Sequence, residues 1–267
     1  MPSIKHLILF VAVTLCLSHS LSIQANEVHS EAQQIVNQNA IEITAMTLAV
    51  EDSWPPYANA YGEGISTDII TQALEAVGVQ LTLKVYPYAR VLDEISKGLV
   101  AGGYNVTRQK SSEKRFIFGD QAILTATASF YYPANNVTAP SYTSLADIPD
   151  DASIGIIADY EYGDLYELHK HRFREIKVLQ QSQIINMLML GRIDGAIMFD
   201  TVANHTLKTM NLAEDAISKG FLNHTSDVYV AFSKAHKDSK ALANILDQGL
   251  LKIKNNGQYS QIINRAL

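Results

Sequence analysis

Four short stretches of the sequence combine acids, aromatics and small polar groups in a way that suits gripping a small charged molecule. The first is Glu51 followed by Trp54-Pro55-Pro56-Tyr57. The second runs Tyr104, Asn105, Thr107, Arg108, and the third is Tyr160-Glu161-Tyr162 just after Asp159. The fourth is Asp200, alone after an apolar run. A carboxylate taken out of water needs a cationic partner, and a ligand amine can be that partner. An aromatic face can stack on a ligand or cover a cation, and an arginine fork holds a carboxylate bidentately. Each residue also has a plainer reading. Arg108 fits a solvated loop, Glu51 a surface acid beside Asp52, Asp200 the N-cap of a following helix, and Trp54 and Tyr57 packing under their loop. Tyr86, Tyr88 and Arg90 read as core packing and surface.

Other chemistries lack their residues. The sequence contains no Gly-x-Ser-x-Gly, no phosphate loop and no Gly-x-Gly-x-x-Gly. His169 and His171 lie two apart on an expected helix and so point to different faces, while His205, His224 and His236 are isolated. Cys16 is the single cysteine, and it falls in an expected export signal. No metal, cofactor or catalytic residue is therefore expected.

That signal is read from Lys5 and His6, the apolar run Leu7 to Val13 continued to Leu17, and a polar stretch ending at Ala25. Removing residues 1–25 takes away one lysine and no acid, so 20 basic and 27 acidic residues remain, a net charge of −7. An acidic chain without a basic cluster is a poor partner for nucleic acid. An exported chain with no disulfide fits a bacterial periplasm.

The candidate residues sit at strand ends in a strand–helix alternation. Residues 26–45 read as a leader. Thr47 to Val50 is a short strand, and Trp54 to Tyr57 a rigid loop, because two prolines remove two ladder donors. Thr67 or Asp68 is expected to cap a helix that Gly78 ends. Val79 to Val85 alternates as a strand with one covered face, Pro87 opens a second helix, and Ala122 to Tyr132 is a long extended segment. A second run follows: strand Ser153 to Ala158, helix Asp164 to Phe173, strand Ile176 to Leu179, helix Ser182 to Leu190 and strand Ile193 to Phe199. Asp227 to Phe232 is one more strand, and two helices split at Asn255-Asn256-Gly257 close the chain. Two runs of β–α units imply α/β lobes with mostly parallel sheets, and ligands bind beyond the carboxyl ends of such strands.

The order of these motifs resembles the bacterial extracellular solute-binding proteins of family 3. The resemblance rests on Val50 to Tyr57, Gly64 to Asp68, Tyr104 to Asp120, Ile154-Gly155-Ile156 with Asp159 to Gly163, Gly191-Arg192-Ile193-Asp194-Gly195, and Asn255 to Tyr259. It covers residues 46–267 and implies a two-lobed periplasmic-binding-protein-like fold of type II. Lobe one would be 46–133 plus 227–267 and lobe two 138–224, with two chain crossings as the hinge. It also implies a monomer that closes on a small polar ligand, an amino acid or similar, and serves an inner-membrane ABC permease. A sensory trap docking on a membrane receptor and a dehydratase-like enzyme on the same scaffold are the other readings. The enzyme would draft Glu51 and Asp200 as acid and base.

Two departures from the pattern bear on the ligand. The family's carboxylate-binding arginine should stand just before Glu113-Lys114, where this chain has Ser112, with Arg108 four residues earlier. The acid that pairs with an α-amino group corresponds to Asp200, one position late. The ligand-binding set expected from residues and resemblance together is Glu51, Trp54, Tyr57, Tyr104, Asn105, Thr107, Arg108, Tyr160, Glu161, Tyr162 and Asp200.

Overall fold

The computed structural model describes residues 43–134 and 142–266; the expected signal peptide lies outside them, as does most of the leader. Strand β1 (Ala45–Glu51) is the apolar centre of the first half. It pairs in parallel with β2 (Gln80–Tyr86) on one side and β3 (Gly102–Thr107) on the other. Helices α1 (Ile65–Glu75) and α2 (Tyr88–Ser96) supply the crossovers. Short helix α3 (Lys110–Arg115) leads into β4 (Phe116–Phe118).

The second half repeats the design. Strand β6 (Ser153–Ile157) lies between β7 (Arg174–Val178) and β8 (Gly195–Phe199), all parallel. Helices α4 (Asp164–His169), α5 (Gln181–Met189) and α6 (Asp200–Thr209) complete it. Helices α7 (Ser239–Asn255) and α8 (Gln258–Ala266) return to the first half, where α7 packs on α1.

Two long antiparallel strands join the halves. Strand β5 (Leu124–Pro133) and β9 (Ile217–Ser233) pair from Leu124↔Val228 to Pro133↔Ile217, with register shifts between Ala128 and Tyr131. Strand β9 continues onto β3 and β5 onto β8, giving one nine-stranded sheet in the order β2-β1-β3-β9-β5-β8-β6-β7, with β4 pairing β9 off that path. Each half has its own core: Val91, Leu92, Ile95, Val106 and Phe116 in the first, Ile184, Ile185, Leu188, Met198 and Leu207 in the second. Tyr160 packs against both. No helix among the described residues is long and apolar enough to cross a membrane.

Three expectations from sequence need correction. Helix α1 starts at Ile65 with Gly64 at its N-cap, so neither Thr67 nor Asp68 caps it. Tyr104 to Thr107 do not lie beyond a strand's end but within strand β3 itself. Two glycines and Asn105 hid the signal, and the flanking β1 and β9 ladders impose it. Strand β9 begins ten residues before Asp227, because its half-exposed, polar first part shows no apolar alternation and is held by pairing with β5.

Candidate functional site

The carboxyl ends of β1, β3, β6 and β8 converge between the two halves. Glu51 ends β1 and is only 1% exposed. The loop after it is locked to helix α1: Ile65 N–H donates to the Pro56 carbonyl at 3.1 Å and Ser66 N–H to the Tyr57 carbonyl at 3.1 Å. Gly64, at φ 140°, allows this approach, since a Cβ there would run into the Tyr57 carbonyl oxygen. The loop thereby stacks Trp54 on Tyr57 at 4.4 Å and sets Trp54 edge-on to Phe199, at the end of β8, at 5.2 Å. On β3, the Tyr104 hydroxyl bonds the Thr67 hydroxyl at 2.7 Å. Asn105 follows at φ 68°, in the left-handed region that asparagine tolerates, and shifts the β3–β9 register.

Two reciprocal contacts join the halves. From the second half, the Tyr160 hydroxyl donates to Glu51; from the first, the Tyr88 hydroxyl donates to Glu161 at 2.7 Å. The Tyr88 and Tyr160 rings meet edge to face at 4.6 Å. Gly163 N–H donates to Gln109 Oε1 at 3.1 Å, and Lys110 faces Asp164 at 3.4 Å. Tyr162, by contrast, serves its own half, accepting the Ile157 N–H at 2.8 Å.

Electrostatically the cluster is acidic without a counter-ion. Burial lifts Glu51 from 4.5 to about 8, against the lowering effect of Tyr160 and Asn105; Asp52 and Glu161 raise it further. Burial likewise lifts Glu161 to about 7, offset in part by Tyr88, by a backbone bond and by the charge of Arg115. Neither acid belongs to an ion pair among the described residues. Asn105, 6% exposed, stands close enough to Glu51 to lower it, although neither of its amide atoms makes a well-formed hydrogen bond. Trp54 Nε1 and His224 Nε2 are also buried without a partner, and burial lowers His224 to about 4.

Glu51, Trp54, Tyr57, Tyr104, Asn105, Tyr160 and Glu161 thus meet or adjoin one another; besides Tyr162, three other expected residues do not join them. Arg108 turns outward, donating to Glu113 Oε1 at 2.8 Å and the Gly119 carbonyl at 3.2 Å, with its guanidinium over Phe118 and Tyr229. A nearby carboxylate and two half-buried ring faces hold it there, away from Glu51 and Glu161. Asp200 accepts from Tyr131 at 2.9 Å and Ser129 at 3.2 Å and pairs with Lys219 at 2.8 Å, so its charge is met within its own half. Thr107 is buried at the end of β3, where its carbonyl accepts from Ser112 Oγ at 2.8 Å. Ser112 also accepts the Gln109 N–H at 3.0 Å, capping α3. Sequence reasoning assigned Tyr88 to packing and overlooked Phe199 and Gln109. The strand-end rule could have found Tyr88, which follows β2 by two residues. No group of three or more potential metal-ligating side chains gathers among the described residues.

The sequence matches the family described as bacterial extracellular solute-binding proteins, family 3, over residues 46–267. Among solved structures, a histidine kinase sensor domain with similarity to periplasmic binding proteins superposes with a TM-score of 0.72 at 13% identity, covering 84% of this chain and 96% of that one. An amino acid ABC transporter substrate-binding protein of Streptococcus pneumoniae bound to L-arginine gives 0.67 at 18% identity, covering 83% and 94%. The GluR0 ligand-binding core of Nostoc punctiforme with L-glutamate gives 0.69 at 16% identity, covering 83% and 99%. At such identities the likeness speaks to the fold alone. None of the curated proteins compared with the sequence matches it.

Proposed function

The chain belongs to the bacterial extracellular solute-binding proteins, family 3, and from that premise we propose that it captures a small polar solute between its lobes for a membrane ABC permease and catalyses no reaction. One observation carries the reading. Buried acids, aromatic rings and the unpartnered Asn105 amide converge from both halves at the carboxyl ends of the strands, where α/β sheets take their ligands. Lobe one is read as 46–133 plus 227–267 and lobe two as 138–224. Strands β5 and β9, the two strands that pass between them, are the hinge. Closing over a solute removes water from the charged contacts and strengthens them. The setting is the periplasm, after loss of residues 1–25.

Solved relatives of this fold include proteins holding L-arginine and L-glutamate, which supports an amino acid or a similarly sized polar metabolite. A relative described as a precursor of cyclohexadienyl dehydratase shows the scaffold near an enzyme. Here Glu51 and Asp200, the two acids that would serve as acid and base, engage separate partners. The test is to unfold and refold residues 26–267, removing co-purified solute, and to follow melting temperature against amino acids, amines and organic acids. A ligand that binds only the folded state raises the midpoint with the logarithm of its excess. A rise with one chemical class supports capture, and no rise with any compound overturns it.

A further inference from the structure

We propose that the captured solute is an organic cation, an alkyl ammonium or guanidinium without a carboxylate, held between Glu51 and Glu161 and covered by Trp54, Tyr88 and Tyr160. The inference rests on the interlobe cluster being the solute site. It follows from charge accounting across that cluster. Glu51 and Glu161 are 1% and 8% exposed, face each other's lobe, and have only phenols as hydrogen-bonding side chains. Buried in a water-poor space, two carboxyl groups keep their protons unless a positive charge enters to hold them ionised.

The protein does not supply that charge. The cations nearest the two acids in the chain, Lys84 and Arg90 for Glu51 and Lys170 for Glu161, pair with neither: Arg90 pairs with Glu94 and Lys170 with Glu167. Arg108 pairs with Glu113, Lys110 faces Asp164, and Arg115 lies over the Phe116 ring at 4.8 Å; Arg115 lines the same cavity as Glu161 and lowers it by its charge, without forming an ion pair or hydrogen bond with it. Ser112, a neutral residue, occupies its place in the α3 cap.

The surrounding groups suit a cation as well. Trp54, Tyr57, Tyr88, Tyr160 and Phe199 form a continuous set of ring contacts from loop to loop, and tyrosine and tryptophan faces attract ammonium and guanidinium groups. Asn105, more than nine-tenths buried, adjoins Glu51 with both amide atoms unpartnered, offering an acceptor to a ligand N–H. A ligand carboxylate would meet like charge from both acids and no guanidinium fork, so the same cleft discriminates against it.

Agmatine and L-arginine differ by that one carboxylate, which makes them the deciding pair. Calorimetry on the refolded protein with agmatine, putrescine, L-arginine and L-glutamine should show agmatine or putrescine binding at least tenfold tighter than either amino acid. Glu51→Gln and Glu161→Gln should each weaken amine binding tenfold or more while melting at least as high as the parent in the absence of ligand.

The titratable groups around the site include Asp52, Tyr88 and Tyr104 with Arg115 from lobe one, and Asp159, Tyr160, Tyr162 and His224 from lobe two, with Glu167, Lys170, Glu175 and Lys177 lining the cavity beside Glu161. Of the groups that accept the cation, Glu51 and Glu161 ionise between pH 6 and 9, whereas an alkyl ammonium stays charged to about pH 10. Amine affinity should therefore rise tenfold or more over that range. L-arginine binding as tightly as agmatine, undiminished binding in both glutamine variants, or a flat pH profile would overturn the cation assignment and leave solute capture standing. Binding of neither amines nor amino acids would overturn the cation assignment; if no organic acid raised the melting temperature either, solute capture itself would fall with it.

Discussion

Replacing Glu51 by glutamine should change how stability depends on pH more than it changes stability at any single acidic pH. In the folded chain burial lifts this carboxyl from 4.5 to about 8. The folded state therefore holds its proton more tightly than the unfolded chain does. Below pH 4.5 both states are protonated and nothing is lost; as pH rises from 4.5 to about 8 the folded state loses stability. The slope is about 1.4 kcal/mol per pH unit, and the full cost at high pH is on the order of 5 kcal/mol. That figure is a ceiling, since opening the lobes rehydrates the acid. Two neighbours overlap the window. Glu161, lifted by burial to about 7, adds a loss of the same sign between 4.5 and 7. His224, lowered by burial to about 4, acts oppositely: stability is gained as pH rises from 4 to 6.5. Above pH 7 Glu51 acts alone among the three.

Urea titrations of ligand-free protein at pH 6, 7, 8 and 9, parent beside Glu51→Gln, isolate it. Trp54 is the single tryptophan in the sequence and is buried in the cleft, so its emission reports opening as well as unfolding. The parent should lose about 1.4 kcal/mol from pH 7 to 9, the last unit of the Glu51 window, or show a red shift of Trp54 at zero urea, and the variant should do neither. Parallel profiles for the two proteins in both readouts would falsify the account of Glu51 as a buried acid without a counter-ion.

Two further outcomes follow from the same contacts. Arg108→Ala should leave solute affinity within about twofold, because its partners are Glu113 and the Gly119 carbonyl on the outer face of lobe one; calorimetry showing a tenfold loss would return Arg108 to the site. Asp247→Ala should cost about 2–3 kcal/mol in urea denaturation, since its carboxylate accepts the Asp120 and Gln121 N–H groups at 2.7 and 2.9 Å and ties α7 to the turn before β5.

Much of the fold was legible in local pattern. The alternation of Val79 to Val85, the helix after Pro87, the second run of strands and helices and the split at Asn255-Asn256-Gly257 all emerge as elements, because apolar periodicity and breaker residues act within a few positions of themselves. The acids and aromatics at strand ends were legible for the same reason, as was the absence of an arginine at Ser112. The structure decided which of those side chains face one another. Tyr160 reaches Glu51 across 109 positions and Tyr88 reaches Glu161 across 73, distances at which periodicity carries no information. Arg108 and Asp200 had equal standing in the sequence, yet Glu113 and Lys219 claim them once the chain is folded. Strand β9 owes its first ten residues to β5, not to its own composition. Local propensity fixes elements; the pairing of charges and hydroxyls across a cleft depends on how two rigid halves meet, which is a property of the folded chain alone.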